Sequence, residues 1–413
     1  MRPKTVLVSV LIMQVGVIVA ACSLNSGSSQ LPPATASADR ALFDTTPGGR
    51  VGAKVAMLLP LTAQGHAAVV ANGLKQAGEM ALFENNSPGF QLMIKDTKGT
   101  SEGATSATQQ AVSEGAELII GPMFSKSVVA VSKIARPAKI PVMAFSNDER
   151  VAGDGIYLIS FLVRAEVRRI VSFAASQGHR QFAALIPENA FGTMIAETFR
   201  QAVTANDGIV AVVERYPAGT GGVLGPARKL IEDIKASEES GVPVDALFLP
   251  GGPDVLSSLG PILATSRLDF SKLKLIGTGG WDYPNLGRDR VFRGGWYPAT
   301  TPSAWQAFSE RFTRTYGTAP PRIASLAHNA VAIAARLAAS NPKGRRYTSV
   351  NLLRSNGFSG ADGAVRFTSK GLTERGLAVL EVQQFRPRIV SPAPQTFRPR
   401  ESNAVSPARS WFN

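Results

Sequence analysis

One cysteine, Cys22, and three histidines, His66, His179 and His328, are all that the 413 residues contain of these two types. A single thiol excludes a disulfide within the chain, although exported proteins often use them. The histidines lie far apart, without cysteine partners or the short spacings of a zinc site, so no metal is expected. Nucleotide and catalytic signatures are missing too. "GTGGWD" (Gly277 to Asp282) is not G-x-G-x-x-G, "GFSGA" (Gly357 to Ala361) is not G-x-S-x-G, and no G-x-x-x-x-G-K-[ST] loop occurs. Acids and bases form no recognisable pair at catalytic spacing, so the chain reads as a non-enzyme with no cofactor. Acidic residues are scarce relative to basic ones, 30 against 44, a net charge of +14. That balance favours acidic surfaces such as anionic headgroups or cell-wall polymers. No zinc finger, basic helix or RNA-binding aromatic motif accompanies it, so nucleic acid is not an expected partner.

What is present begins with an export pattern. Arg2 and Lys4 precede an uncharged apolar run, Val6 to Val19, too short for a comfortable membrane span. It runs into Val19-Ala20-Ala21-Cys22, which resembles the bacterial lipobox, where the cysteine is acylated and becomes the first mature residue. The expectation is a signal peptide over 1–21, lipid on Cys22, and a location on the periplasmic side of a bacterial membrane. Residues 22–52, rich in Ser, Ala, Pro and Gly, read as a flexible tether. At the other end 387–413 reads as a disordered basic tail, with Arg388, Arg398, Arg400 and Arg409 against the single acid Glu401.

Between these ends, short β-type runs alternate with helical periods. "KVAMLLPL" from Lys54, "FQLMIKD" from Phe90, "LII" from Leu118 and "PVMAF" from Pro141 are strands separated by helical spacings, a βαβαβαβ series that makes a parallel sheet covered on both faces. The series restarts with a helix from Glu166 to Gln177 and the strands "FAALIPE", "IVAVVERY", "DALFLPGG" and "LKLIGTGG". Two doubly wound, Rossmann-like α/β lobes follow. Trp305, Phe308 and Phe312 have the spacing of a buried helix face, and Gly363 to Phe385 alternates like a β-hairpin.

The order of elements and the stretches "PLT" (Pro60 to Thr62), "KDTKGTSEGA" (Lys95 to Ala104), "GAELIIGPMFSKS", "IPVMAFSND", "PENAFG" (Pro187 to Gly192), "FLPGG" (Phe248 to Gly252) and "GADGAVRF" (Gly360 to Phe367) resemble the type I periplasmic binding proteins, leucine-binding branch. The resemblance covers Lys54 to Phe385 and implies two lobes joined by a three-strand hinge. Crossings are expected near Phe161, Tyr297 and Phe358, giving lobe 1 as 53–162 with 297–357 and lobe 2 as 163–296 with 358–386. The amino-acid binders of that family clamp a carboxylate in the loops after the third and fourth strands. They hold the ammonium with an acid after the last strand of lobe 2. In this chain Lys126 falls where a contacting serine stands and Asp148 where a threonine stands, and the acid position falls near Gly279, with Asp282 three residues on. The lipobox, tether and "LLPL…GPMFSKSV…VMAFSND" layout is also similar to lipoprotein activators of penicillin-binding proteins. That similarity implies a regulator of peptidoglycan synthesis whose partner is a cell-wall synthase. The chain has no room for the N-terminal helical-repeat domain that such activators often carry, which keeps a second reading open: a solute receptor of an ABC permease for amino acids or related molecules.

The expected cleft residues, facing a small molecule or a partner, are Thr62, Ser125, Lys126, Ser127, Ser146, Asn147, Asp148, Phe191, Gly251, Trp281 and Asp282. Each carries a plainer reading. Ser125 caps a helix, with or without an anion at the helix start; Asn147 and Asp148 close a turn; Phe191 and Trp281 either line the cleft or sit in the core.

Overall fold

A computed structural model describes residues 52–217 and 222–397. The signal, Cys22, the tether up to residue 51 and the chain beyond 397 lie outside the described residues.

Lobe 1 begins with β1 (Ala53–Leu59), α1 (His66–Asn85), β2 (Phe90–Asp96), α2 (Ser101–Ser113), β3 (Leu118–Ile120), α3 (Ser125–Ala135), β4 (Val142–Ala144) and β5 (Ile156–Leu158). The strands form one sheet in the order β2-β1-β3-β4-β5, every pair parallel. Near-continuous apolar runs make these strands: Val55 to Leu59 and Leu118 to Ile120 are fully buried, as expected for a sheet with helices on both faces. The order reverses between β1 and β3, the switch point at which open α/β sheets present their carboxyl-end loops to ligands.

The chain crosses at 159–162 into α4 (Val163–Ser176), β6 (Gln181–Glu188), α5 (Ala190–Thr204), β7 (Ile209–Pro217), α6 (Leu224–Glu239), β8 (Ala246–Leu249), α7 (Pro253–Thr265), β9 (Lys274–Gly277) and β10 (Trp296–Ala299). It returns to lobe 1 past Ala299 with α8 (Pro302–Tyr316), α9 (Ala324–Ser340), α10 (Ser349–Leu352), β11 (Phe358–Gly360), β12 (Gly363–Phe367) and β13 (Thr373–Arg375). It ends in β14 (Ala378–Glu381) and β15 (Arg388–Ser391), giving lobe 2 the sheet order β15-β14-β10-β9-β8-β6-β7. Phe308 and Phe312 are buried in the lobe 1 core with the inner face of α9, as their spacing predicts. Trp305 is only partly buried at the edge of that core.

Three expectations need correction. The third crossing falls at 376–377, not near Phe358. Phe358 and Phe367 pack into the lobe 1 core, and the Leu158 N–H donates to the Gly371 carbonyl (2.7 Å), so 358–375 belongs to lobe 1. For the same reason Gly363 to Phe385 is not one hairpin: β12 pairs with β13, while β14 leaves to pair with β10 in the other lobe. A hydrophobic alternation marks strands but not which sheet they join. Finally, 387–391 is not tail: Arg388–Ser391 pairs antiparallel with β14, and Ala393 beyond it is buried.

Candidate functional site

The β1 and β2 ends are fixed by one carboxylate. Asp96 Oδ1 accepts the N–H groups of Leu61 (2.9 Å) and Lys98 (2.8 Å), and Thr62 Oγ1 donates to Asp96 Oδ2 (2.6 Å). After β3 the helix cap is Phe124, not Ser125, and it makes no side-chain cap bond. Ser125 is the first helical residue and lies where its hydroxyl adds a little to the lowering of the Asp148 carboxyl. Ser127 is buried against the Thr100 carbonyl (3.4 Å), and Lys126 is exposed. After β4, buried Ser146 accepts the Asp148 N–H (3.2 Å), Asn147 is exposed, and Asp148 caps the next turn. The cation neutralising Asp148 is Arg150, through two bonds of 2.8 Å, rather than Lys126. Those bonds to Arg150 hold the Asp148 carboxyl below its usual range. A ligand carboxylate entering this loop would therefore meet a closed Asp148–Arg150 ion pair rather than a free guanidinium.

In lobe 2, Asn189 caps α5 by accepting the Gly192 N–H (2.8 Å), which leaves Phe191 exposed at the carboxyl end of β6. Gly251 precedes α7, and its carbonyl lies so close to Gly280 that a Cβ there would meet it at 2.7 Å. Trp281 is a core residue. It is fully buried, donates Nε1–H to the Leu249 carbonyl (3.0 Å), and packs edge-on against Phe292.

Of the expected residues only Asp282 lines the pocket that opens where the chain crosses between the lobes, about 250 Å³ in volume. Phe161, Glu166, Gly279, Thr300 and Arg322 share its wall. Glu166, in the first turn of α4, accepts the Gly279 N–H (2.9 Å). A Cβ on Gly279 would sit 2.8 Å from the Glu166 carboxylate, so a side chain there would push that carboxylate aside. An acid is thus present at the position where the resemblance placed one, but it comes from α4. Burial raises the Glu166 carboxyl, against the Gly279 N–H, and nearby Asp282 adds to the rise. Burial likewise raises Asp282, against the pull of Arg322 and a hydrogen bond from Tyr297.

Arg322 joins the parts. Its guanidinium lies 4.3 Å from the Trp305 ring centre and 5.2 Å from that of Phe161. Nη2 donates to Thr300 Oγ1 (2.6 Å) and stands 3.9 Å from Asp282 Oδ2; Nη1 stands 4.0 Å from Asp362 Oδ2. Asp362 is fully buried and held by Ser325 (2.9 Å), Asn329 (2.7 Å) and Arg375 (3.0 Å). Burial alone would raise the Asp362 carboxyl, but Arg375 and these hydrogen bonds outweigh it and keep it ionised. Arg375 also covers Phe161 at 4.4 Å, so that ring carries two guanidiniums at the crossing. Outside the pocket Glu149, after β4, meets Arg164 of α4 at 2.8 Å, a further tie between the lobes.

Sequence reasoning missed Glu166, Thr300, Arg322 and the Asp362 cluster. The available signals were weak: an acid in a first helical turn, and an arginine in "PPRIAS" ahead of an alanine-rich helix. Among the described residues no group of three or more His, Cys, Asp or Glu could hold a metal, and no helix is long and apolar enough to cross a membrane.

Comparison with known proteins agrees with this architecture. A family model described as "Periplasmic binding protein" matches residues 52–386. A Rickettsia prowazekii protein of uncharacterized function is 22% identical over 226 residues, 54% of this chain and 59% of that one. The penicillin-binding protein activator LpoA of Pectobacterium parmentieri is 28% identical over 126 residues, 30% of this chain and 18% of that one. The matches thus span less than two thirds of either relative. A Rhodospirillum rubrum structure described as a branched-chain amino acid ABC transporter superposes with a TM-score of 0.70 at 17% identity, covering 82% of this chain and all of that one.

Proposed function

The chain belongs to the periplasmic binding protein family, in its type I, leucine-binding-like branch, and from that premise we propose that it is a lipid-tethered, non-catalytic regulator of a penicillin-binding protein in peptidoglycan synthesis. The observation that carries this reading is that the groups placed to clamp an amino acid are already paired within the protein. Asp148 is bound to Arg150, Ser127 is buried on the Thr100 carbonyl, and the Gly279 N–H is taken by Glu166. Arg322 is shared between Asp282, Thr300 and Asp362. The pocket, about 250 Å³, is smaller than the ~300–1,000 Å³ usual for small-molecule sites. A two-lobed body whose cleft is filled by its own charges is suited to presenting its outer surface to a protein. The LpoA similarity supports a cell-wall synthase as that protein.

A second reading has its own observation. Arg322 Nη1 is buried without a hydrogen-bond partner among the described residues, in a pocket that also holds Glu166 and Asp282. A small zwitterion would satisfy both signs, as a solute receptor for amino acids requires. Thermal unfolding of the protein against amino acids, small peptides and cell-wall fragments separates the two. A ligand at about 100 times its Kd adds roughly 2.7 kcal/mol of stability. The regulator reading expects no rise with free amino acids; a reproducible, saturating rise with one of them assigns the protein to solute capture.

A further inference from the structure

The turn between β14 and β15 has no part in either reading. Glu381 pairs with Trp296 in the antiparallel β14–β10 ladder, so the turn leaves the sheet where the parallel strands begin, at the opposite edge from Gly279 and Asp282. At its tip Phe385 is 88% exposed, and Ile389, on the edge strand β15, is 45% exposed. Arg386 and Arg388 are exposed on either side of Pro387. Against this turn packs the 3-10 turn Leu286–Arg288. A Cβ on Gly287 would overlap the Gln383 carbonyl oxygen, at 1.8 Å, so the two backbones touch one residue before exposed Arg288.

The base of this protrusion is fixed. Glu381 accepts from Arg388 (2.8 Å), Gln383 (2.6 Å) and Trp296 Nε1 (3.2 Å), and the Gly294 N–H binds the Val382 carbonyl (2.9 Å). Its acids are turned inward: Glu381 is tied in those bonds, and half-buried Asp289 accepts the Val291 N–H (3.2 Å). What projects is an exposed aromatic ring, with exposed Arg386 next to it in the chain and exposed Arg288 on the turn packed against it.

We propose that this turn is a docking surface for anionic lipid, with Phe385 entering the interfacial layer and Arg288 and Arg386 meeting headgroup phosphates. A convex turn with one aromatic offers no broad face of the ~800 Å² that a stable protein contact uses on each side. A bilayer interface needs no complementary shape. It accepts aromatic rings at headgroup depth and draws cations by its surface potential, and the net charge of +14 adds attraction at longer range. The inference holds for a regulator and for a receptor alike.

The test is co-sedimentation of the full chain with vesicles of phosphatidylcholine alone and with roughly three parts in ten of phosphatidylglycerol. The apolar N-terminal run and any acyl chain contribute to both, so the readout is the anionic-to-neutral partition ratio. The ratio is expected to exceed one and to shrink at high salt. It should fall about fivefold in each of Arg288→Ser and Arg386→Ser, be retained in Arg386→Lys, and fall about 25-fold in the double serine variant, at the charge worth usual near such surfaces. Phe385→Ser should weaken binding to both vesicle types and leave the ratio alone. A parent ratio near one, or a ratio unchanged in a double variant whose thermal unfolding matches the parent, overturns the proposal. A double variant that keeps the ratio but loses a protein cross-link at this turn overturns it in favour of a protein contact.

Discussion

Arg322→Met removes one guanidinium and keeps an apolar side chain of similar length between Phe161 and Trp305. Asp282 and Asp362 lose a cation at 3.9 and 4.0 Å, and Thr300 loses a donor at 2.6 Å. Breaking a fully buried pair costs about 3–5 kcal/mol. Here the side chain is 37% exposed and both charge separations are long, which reduces that share; the lost hydrogen bond adds about 1 kcal/mol, and methionine keeps part of the ring contact. The expected loss is about 2–3 kcal/mol at pH 7, a sizeable part of the ~5–15 kcal/mol available to a domain. Urea unfolding measures it, with the two lobes followed separately because they need not unfold together. The variant also removes the charge that opposes the upward shift of Asp282 and Glu166. Those acids then ionise at greater cost, so the loss should be larger at pH 7 than at pH 5, where they hold their protons more readily. A loss under about 0.5 kcal/mol, or one equal at both pH values, would refute the reasoning.

Three further predictions follow from the same geometry. Because the Glu166 carboxyl is raised on folding, the folded chain binds more protons than the unfolded one just above the ordinary carboxylate range, and stability falls as pH rises through that window; Glu166→Gln, whose oxygen can still accept the Gly279 N–H, should shrink this fall, leaving the share of Asp282, and stabilise the protein at pH 7, as a pH series of unfolding midpoints will show. Trp281→Ala empties a fully buried site and should cost about 3–5 kcal/mol by denaturant unfolding, where a cleft-lining tryptophan would cost far less. Lys126→Ala should change stability by no more than about 0.5 kcal/mol, because Lys126 is exposed in the first turn of α3, and Asp148→Ala should leave the fold intact by circular dichroism, because Asp148 sits in the loop after β4 rather than in the core.

The lobes were legible because buried parallel strands write themselves as apolar runs, and the restart at "FAALIPE" marks a second sheet. Strand partners were not legible. The alternation through 363–385 is the same whether β14 pairs with β13 or with β10, and the choice is made by packing of Phe358 and Phe367 on lobe 1. The pocket was only partly visible for a related reason. Sequence proximity pointed to loops after β3 and β4, whereas the charges that line the pocket come from distant segments: Glu166 from α4, Asp282 after β9 and Arg322 before α9. Gly279 and Glu166 illustrate the difficulty. A glycine at the acid position reads as a lost acid until the fold shows another carboxylate lying where its side chain would have been.

The measurement that bears most directly on the central claim is the rate of glycan polymerisation and cross-linking by a purified penicillin-binding protein from the same cells, with and without this protein. The account predicts a saturable rise in rate that survives Lys126→Ala and is unaffected by added free amino acids. An unchanged rate, together with an amino acid that raises the thermal stability of the protein and loses that effect in Arg322→Met, would contradict it and assign the cleft to solute capture.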